Sequence, residues 1–252
     1  MSKTILLFDL SNLIFYRYYS IKKYFALKKE PIDTPEFIAK FLDFDSVVLK
    51  IQKKFKLKEF DIYYLKDCKR ANIWRHKYLD NYKGNRKYNP EIGNYFKLAF
   101  DNYFCNQTVI EEEYAEADDI CGVFVNYIKN YDDLYIFTSD LDYLQLQYNN
   151  KIHLYDLKLN NLNTKSLGDY KLDLKYKCII GDKSDNIKPI INRMDKTTTM
   201  KYINDDKLFQ EMLKENPTIK KKYELNCKVI ELNNIPKDLK IKITNKIKQY
   251  IK

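Results

Sequence analysis

Five short apolar, β-prone runs punctuate the chain: 4–8 (TILLF), 61–65 (DIYYL), 108–110 (TVI), 134–137 (LYIF) and 152–155 (IHLY). Several are apolar on successive residues, as strands buried on both faces of a parallel sheet are. Between them the period becomes helical. Thr34 and Pro35 suit a helix N-cap and first turn, and Phe37, Phe41, Phe44, Val48 and Ile51 then line one apolar face, predicting a helix to about residue 55. Further helices are predicted at about 92–104 and 116–130, the second burying Ile120, Val123, Phe124, Tyr127 and Ile128. This alternation predicts an α/β fold with a mostly parallel central sheet flanked by helices. After about residue 160 helices dominate, at about 168–180, 199–215 and 236–251. No repeat or Gly/Ser linker separates the two parts, so a core at 1–160 and a helical region at 161–252 are expected to pack as one body.

Composition narrows the class. With 252 residues and 45% apolar content the chain can bury a real core. The net charge is +10, and residues 219–252 hold ten Lys against Glu224, Glu231 and Asp238. A charge run is often only a solvated face, but this one favours a polyanionic partner. A second basic stretch, from Lys66 to Asn94, contains Lys69, Arg70, Arg75, Lys77, Lys83, Arg86 and Lys87 and reads poorly as core. It is expected to be a mobile surface loop or a binding arch. The five Cys make no CxxC pair and fit buried thiols in a reducing compartment. Only two His are present, far apart, which argues against structural zinc. The apolar run in MSKTILLFDL is too short for a signal peptide, and no stretch reaches the ~18 apolar residues of a membrane span. A cytoplasmic protein is expected.

The chemistry lies in acids that follow strands. Asp9 ends the first run and Asp67 the second; Glu116, Asp118 and Asp119 follow the third; Asp140 and Asp142 follow the fourth. Outside the carboxyl ends of parallel strands these side chains should converge in one crevice. Asp182 and Asp185, in GDKSDN, are placed to close it from the helical half. Taken singly, each acid is more often a helix cap than a ligand. Taken together they concentrate like charges that repel unless cations neutralise them. Oxygen-only ligands suit Mg²⁺ or Mn²⁺, and two such ions ~3.5–4 Å apart suit phosphodiester hydrolysis.

In this order LLFDLSN, KDCKRANIWRHKYLDNYKGNR, EADD, TSDLDYLQL and GDKSDN resemble the motifs of the 5′ nuclease family, the flap endonucleases and the 5′ nuclease domains of bacterial DNA polymerases. The likeness covers nearly the whole chain, continues into YELNCKVIELNNIPKDLKIKITNKIKQY, and looks closest to the RNase H of T-even phages. Each motif alone is weak; their joint order is a strong signal. The resemblance implies a PIN-like core, a basic arch at about 67–100, and a helix–three-turn–helix-like DNA-binding element in the helical half. It implies a first metal at Asp9, Asp67, Glu116, Asp118 and Asp140, and a second at Asp142, Asp182 and Asp185, with Asp119 and Asp140 shared or nearby. It implies that Arg75 and Lys83 grip the scissile phosphate and that Tyr82 stacks on the adjoining base. Arg70, Arg86 and Lys87 would contact nucleic acid. The family's Gly-rich segment is missing after Gly181, where the chain reads GDKSDNIKPIINRMDKTTTMKY. Lys183, Lys188, Arg193 and Lys196 are therefore expected to bind phosphate as point charges, and a Gly-dependent potassium site is not implied. The stretch from Tyr82 to Glu116 is short for an arch that encloses a strand.

The expected function is thus a 5′→3′ nuclease using two Mg²⁺, with Mn²⁺ able to substitute, at 5′ ends or flaps of DNA and RNA–DNA hybrids. Primer removal in replication would be its duty, as a monomer working beside proteins such as a single-strand-binding protein. The site of genome replication, including that of a virus in its host, is the expected location. A PIN-type single-strand ribonuclease shares the acid sheet but needs neither the helical half nor the basic tail. A glycosyltransferase would use a DxD but needs a nucleotide-sugar site. A non-catalytic DNA-binding relative would lack some of the acids.

Overall fold

A computed structural model describes residues 4–87 and 89–251. Its centre is a five-stranded sheet in the order β3-β2-β1-β4-β5. The strands are β1 (Thr4–Asp9), β2 (Phe60–Lys66), β3 (Val109–Glu111), β4 (Asp133–Phe137) and β5 (Ile152–Tyr155). Every pairing is parallel. The predicted strands match these within a residue or two at each end. β1 is apolar on successive positions because both its faces are covered. Ile5 and Leu7 face α5 (Ala117–Tyr127) and α10 (Lys237–Tyr250). Leu6 and Phe8 face α1 (Leu10–Lys28), α2 (Pro35–Leu42), α3 (Asp45–Phe55) and α4 (Pro90–Asn102). Phe8 stacks between Tyr64 and Phe137, with ring centroids 5.3 and 4.9 Å away.

Helix boundaries depart from the sequence reading where polar side chains intervene. The single helix expected from Thr34 to about residue 55 is two. Asp43 turns the chain, its carboxylate accepting the Ser46 N–H at 3.1 Å. The helix expected at 199–215 is also two, α7 (Lys196–Asn204) and α8 (Asp206–Glu215), because Asp205 ends one and caps the other through the Leu208 N–H at 2.9 Å. Two helices escaped prediction. α1 buries Leu10, Leu13, Ile14, Arg17 and Tyr18 at helical spacing, a signal diluted by the exposed aromatics Phe15, Tyr19 and Tyr24. α9 (Pro217–Ile230) opens on a lysine run and commits only Asn226, Val229 and Ile230 fully to the interior.

α6 (Tyr170–Ile180), α7, α8 and α9 form the helical half around Ile179, Ile190, Ile203, Phe209 and Leu213. The last helix, α10, returns to the sheet, where Leu239, Ile243 and Ile247 join the cluster of α5. Part of the basic stretch expected to form an arch at about 67–100 is packed against the body. Ile73, Trp74, Arg75 and Tyr82 are buried, and Ile73 and Tyr82 pack with Cys178, Ile187 and Val229 of the helical half. Tyr88 lies outside the described residues. Among the described residues no helix is long and apolar enough to cross a membrane.

Candidate active site

Chain order reverses direction beside β1: β2 and β3 lie to one side of it, β4 and β5 to the other. A crevice forms outside the carboxyl ends of strands at such a switch point. Here it has a volume of about 430 Å³ and is lined by Asp9, Asp67, Glu116, Asp118, Asp140 and Asp182, among others. A larger groove of about 920 Å³ runs along the β3 edge past Lys66, Glu111 and Lys246, but holds none of these acids.

Several acids cap helices and line the crevice at once, so the two roles weighed from the sequence coexist. Asp9 caps α1 by accepting the Asn12 N–H at 3.0 Å; its other oxygen accepts the Thr138 hydroxyl at 3.1 Å and the Tyr143 hydroxyl at 3.5 Å. Burial, then Asp67 and Asp140, push its carboxyl up to about 7. Asp67 accepts the Ser11 hydroxyl at 2.6 Å and the Ala117 N–H at 2.9 Å, tying the end of β2 to the starts of α1 and α5. Asp140 caps the turn at Leu141–Leu146, accepting the Asp142 N–H at 2.9 Å. Asp118 lines the crevice, and burial pushes its carboxyl well up.

Glu116 and Asp119 form a capping box at the start of α5. Glu116, Asp118 and Asp119 bring carboxylate oxygens within 4.8 Å of one another. Asp119, however, is fully buried and accepts four hydrogen bonds, each at 2.9 Å: from Trp74 Nε1, from two Arg75 nitrogens and from the Glu116 N–H. Three of these end on Oδ2 and one on Oδ1, so Asp119 braces the start of α5 against Trp74 and Arg75. Glu116 accepts Arg75 at 2.8 Å, Tyr82 at 3.0 Å and Lys83. Burial alone would raise its carboxyl, but Arg75 and Lys83 outweigh it and hold the group below the ordinary range.

Two expectations for the basic segment fail on burial. Arg75 is 1% exposed and spends its guanidinium on Val229 O, Glu116 and Asp119, so it does not reach into the crevice for a phosphate. Tyr82 is 2% exposed, its hydroxyl donating to Asp185 at 2.7 Å with Glu116 3.0 Å away, so burial and not the hydroxyl covers the ring from a base. Lys83 does line the crevice. Its backbone sits at φ 53° and donates to Asp185 O at 2.9 Å. Asn186 Nδ2 to Asn81 O at 2.8 Å and Asn85 Nδ2 to Lys183 O at 2.6 Å complete this clasp. Arg86 pairs with Asp185 and also lines the crevice, while Arg70 donates to Arg86 O at 2.8 Å. Lys87, Lys183, Lys188, Arg193 and Lys196 are exposed.

From the helical half, Asp182 accepts the Ser184 N–H at 2.6 Å, and Lys177 lies against it. Burial would raise Asp182, but Lys177 and Ser184 bring it below its ordinary value. Asp142 lies 2.7 Å from Lys177 Nζ. Burial and Asp140 nevertheless push Asp142 up to about 7. Sequence reasoning missed Lys177, which stands on α6 just ahead of the GDKSDN turn. It also missed Trp74, Ser11 and Thr138, which orient the acids.

A family model described as 5′-3′ exonuclease, N-terminal resolvase-like domain, matches residues 4–176. The chain belongs to this 5′-3′ exonuclease family. A 5′-3′ exonuclease of Mycoplasmopsis pulmonis is 32% identical over 130 residues, 48% of this chain and 43% of that protein. A DNA polymerase I of Caldicellulosiruptor bescii is 30% identical over 174 residues, 62% of this chain and 20% of the polymerase. The chain thus spans less than half the length of these curated relatives. Among solved structures, a bacteriophage T5 D15 flap endonuclease variant in a pseudo-enzyme-product complex with DNA and metal ions is similar in fold. Its TM-score is 0.70 at 16% identity, over 98% of both chains. In this exonuclease-family chain the model match spans Asp9 through Asp142 and ends before Lys177, Asp182 and Asp185.

Proposed function

We propose that this chain is a divalent-metal-dependent 5′ nuclease that hydrolyses phosphodiesters at 5′ ends and flaps of DNA and RNA–DNA hybrids. One observation carries the reading. Acids from four successive strand ends share one crevice, and among the described residues Asp9, Asp67 and Asp140 have no lysine or arginine nitrogen within 4.0 Å. The donor set fits the metal: every candidate ligand is a carboxylate oxygen, the choice of Mg²⁺ and Mn²⁺. Asp142 adds a buried carboxylate oxygen, 2.7 Å from the Lys177 ammonium.

Asp9, Asp67, Asp118 and Asp140 would hold a first ion, and Asp142 and Asp182 a second. Such ions supply charge stabilisation at phosphoryl oxygens and make water acidic enough to attack. Glu116 and Asp185 anchor Lys83, whose ammonium faces the crevice and would neutralise the scissile phosphate. Arg75 and Asp119 hold that anchor in place. Lys183, Lys188, Arg193 and Lys196, exposed around the turn between α6 and α7, would follow the duplex backbone, with little reading of bases. The DNA polymerase I relative supports a duty in DNA replication such as primer removal.

Cleavage of 5′-flap, nicked and RNA-primed substrates, with and without chelator, tests the reading. Asp140→Asn with Asp142→Asn is expected to abolish cleavage while leaving DNA binding intact or tighter, since two repelling charges are gone. Full Mg²⁺-supported activity in that double variant refutes the metal assignment.

A further inference from the structure

The two halves of the crevice are unequally neutralised. On the β1 side, Asp9, Asp67 and Asp140 have no lysine or arginine nitrogen within 4.0 Å among the described residues, and Asp118 has one, Arg75 Nη2 at 3.5 Å. On the α6 side, Lys177 Nζ lies 2.7 Å from Asp142 Oδ1 and in contact with Asp182 Oδ2. The Lys177 side chain is 23% exposed and that of Asp142 10%. Lys177 thus bridges the two carboxylates, and at 2.7 Å its ammonium is close enough to Asp142 Oδ1 for a charge-assisted contact.

We propose that Lys177 is a tethered counter-ion standing in the second cation position. This chain therefore loads its divalent ions in order. The first enters at Asp9, Asp67, Asp118 and Asp140, and the second enters only as the Lys177 ammonium leaves Asp142 and Asp182. This rests on the metal-dependent reading above. The charge argument is direct: at the first position two positive charges meet four carboxylates of which, among the described residues, only Asp118 has a cation within 4.0 Å, Arg75 Nη2 at 3.5 Å. At the second they replace one charge already present, so the net electrostatic gain is smaller. A flexible four-carbon stem lets the ammonium withdraw without moving α6. In metal-free protein the same lysine keeps Asp142 and Asp182 from repelling each other.

The test is calorimetric titration of Mn²⁺ into chelator-stripped protein without DNA, with free Mn²⁺ followed by electron paramagnetic resonance. The wild-type chain is expected to take one ion tightly and a second more weakly by roughly tenfold or more. In Lys177→Met the second ion tightens by a similar factor and the first is unchanged; Lys177→Arg keeps the gap. An unchanged gap in Lys177→Met, or a gap that closes in Lys177→Arg, overturns the proposal. Absence of any Mn²⁺ binding by the wild type defeats the metal-dependent reading itself, a separate result. Thermal unfolding gives a second readout. Mn²⁺ should raise the Tm of Lys177→Met more than that of the wild type, and equal rises count against a counter-ion role.

Discussion

Arg75 and Lys83 both touch Glu116, yet only Lys83 faces the crevice. Their loss should therefore register in different measurements. Lys83→Ala is expected to lower turnover by ~10²-fold or more, the scale of a lost electrostatic stabiliser, with a smaller loss of stability than Arg75→Ala, since Glu116 keeps Arg75 and Tyr82. Arg75→Ala strands Asp119 as a buried charge and leaves Glu116 to Lys83 and Tyr82, and should cost about 3–5 kcal/mol in urea unfolding. Asp9 and Asp142 set the pH dependence. Both carboxyls rise to about 7 in the metal-free fold, Asp9 through burial and then Asp67, Asp142 through burial and then Asp140. Between the unfolded value of about 4 and that folded value the native state binds more protons than the unfolded one. Metal-free stability is thus fullest below about pH 4 as far as these groups act, and falls as pH rises through about 7, by on the order of a few kcal/mol. Urea unfolding in chelator across this range checks the sign, and saturating Mg²⁺ should remove the slope.

At the scale of elements, the turn after α6 carries the second cluster of acids. Gly181 sits at φ 70°, and a Cβ there would lie 2.4 Å from Ile187 O. Paired backbone hydrogen bonds between Asp182 and Ile187, at 2.9 and 2.7 Å, fold this turn tightly. Gly181→Ala should destabilise the protein by about 1–3 kcal/mol and weaken uptake of the second Mn²⁺ more than the first, measured by unfolding and titration. The strands were legible because a residue buried on both faces must be apolar wherever it sits. The helices were legible where one apolar face is pure. Asp43 and Asp205 broke two predicted helices because a short polar side chain can cap a new helix, an outcome periodicity alone does not register.

For the whole molecule, the +10 charge makes binding to a polyanion strongly salt-dependent. DNA affinity, read by fluorescence anisotropy in chelator, should fall steeply with salt and little with base sequence. Lys183→Ala and Lys188→Ala should each reduce the slope of log K against log salt by about 0.9 if each meets one duplex phosphate. An unchanged slope would leave those residues as ordinary solvated charges. The sequence by itself determined the parallel α/β sheet, the order of the acid-bearing strand ends and the family to which they belong. These depend on local apolar runs and on residues adjacent to them. Only the tertiary structure decided which charges face the crevice. Arg75, Tyr82 and Asp119 are polar in the sequence but buried in the fold, because partners distant along the chain satisfy them. Lys177 gains its place at the site only when α6 packs beside the turn that follows β4. Burial and pairing are properties of contacts between distant segments, and no single stretch of sequence encodes them.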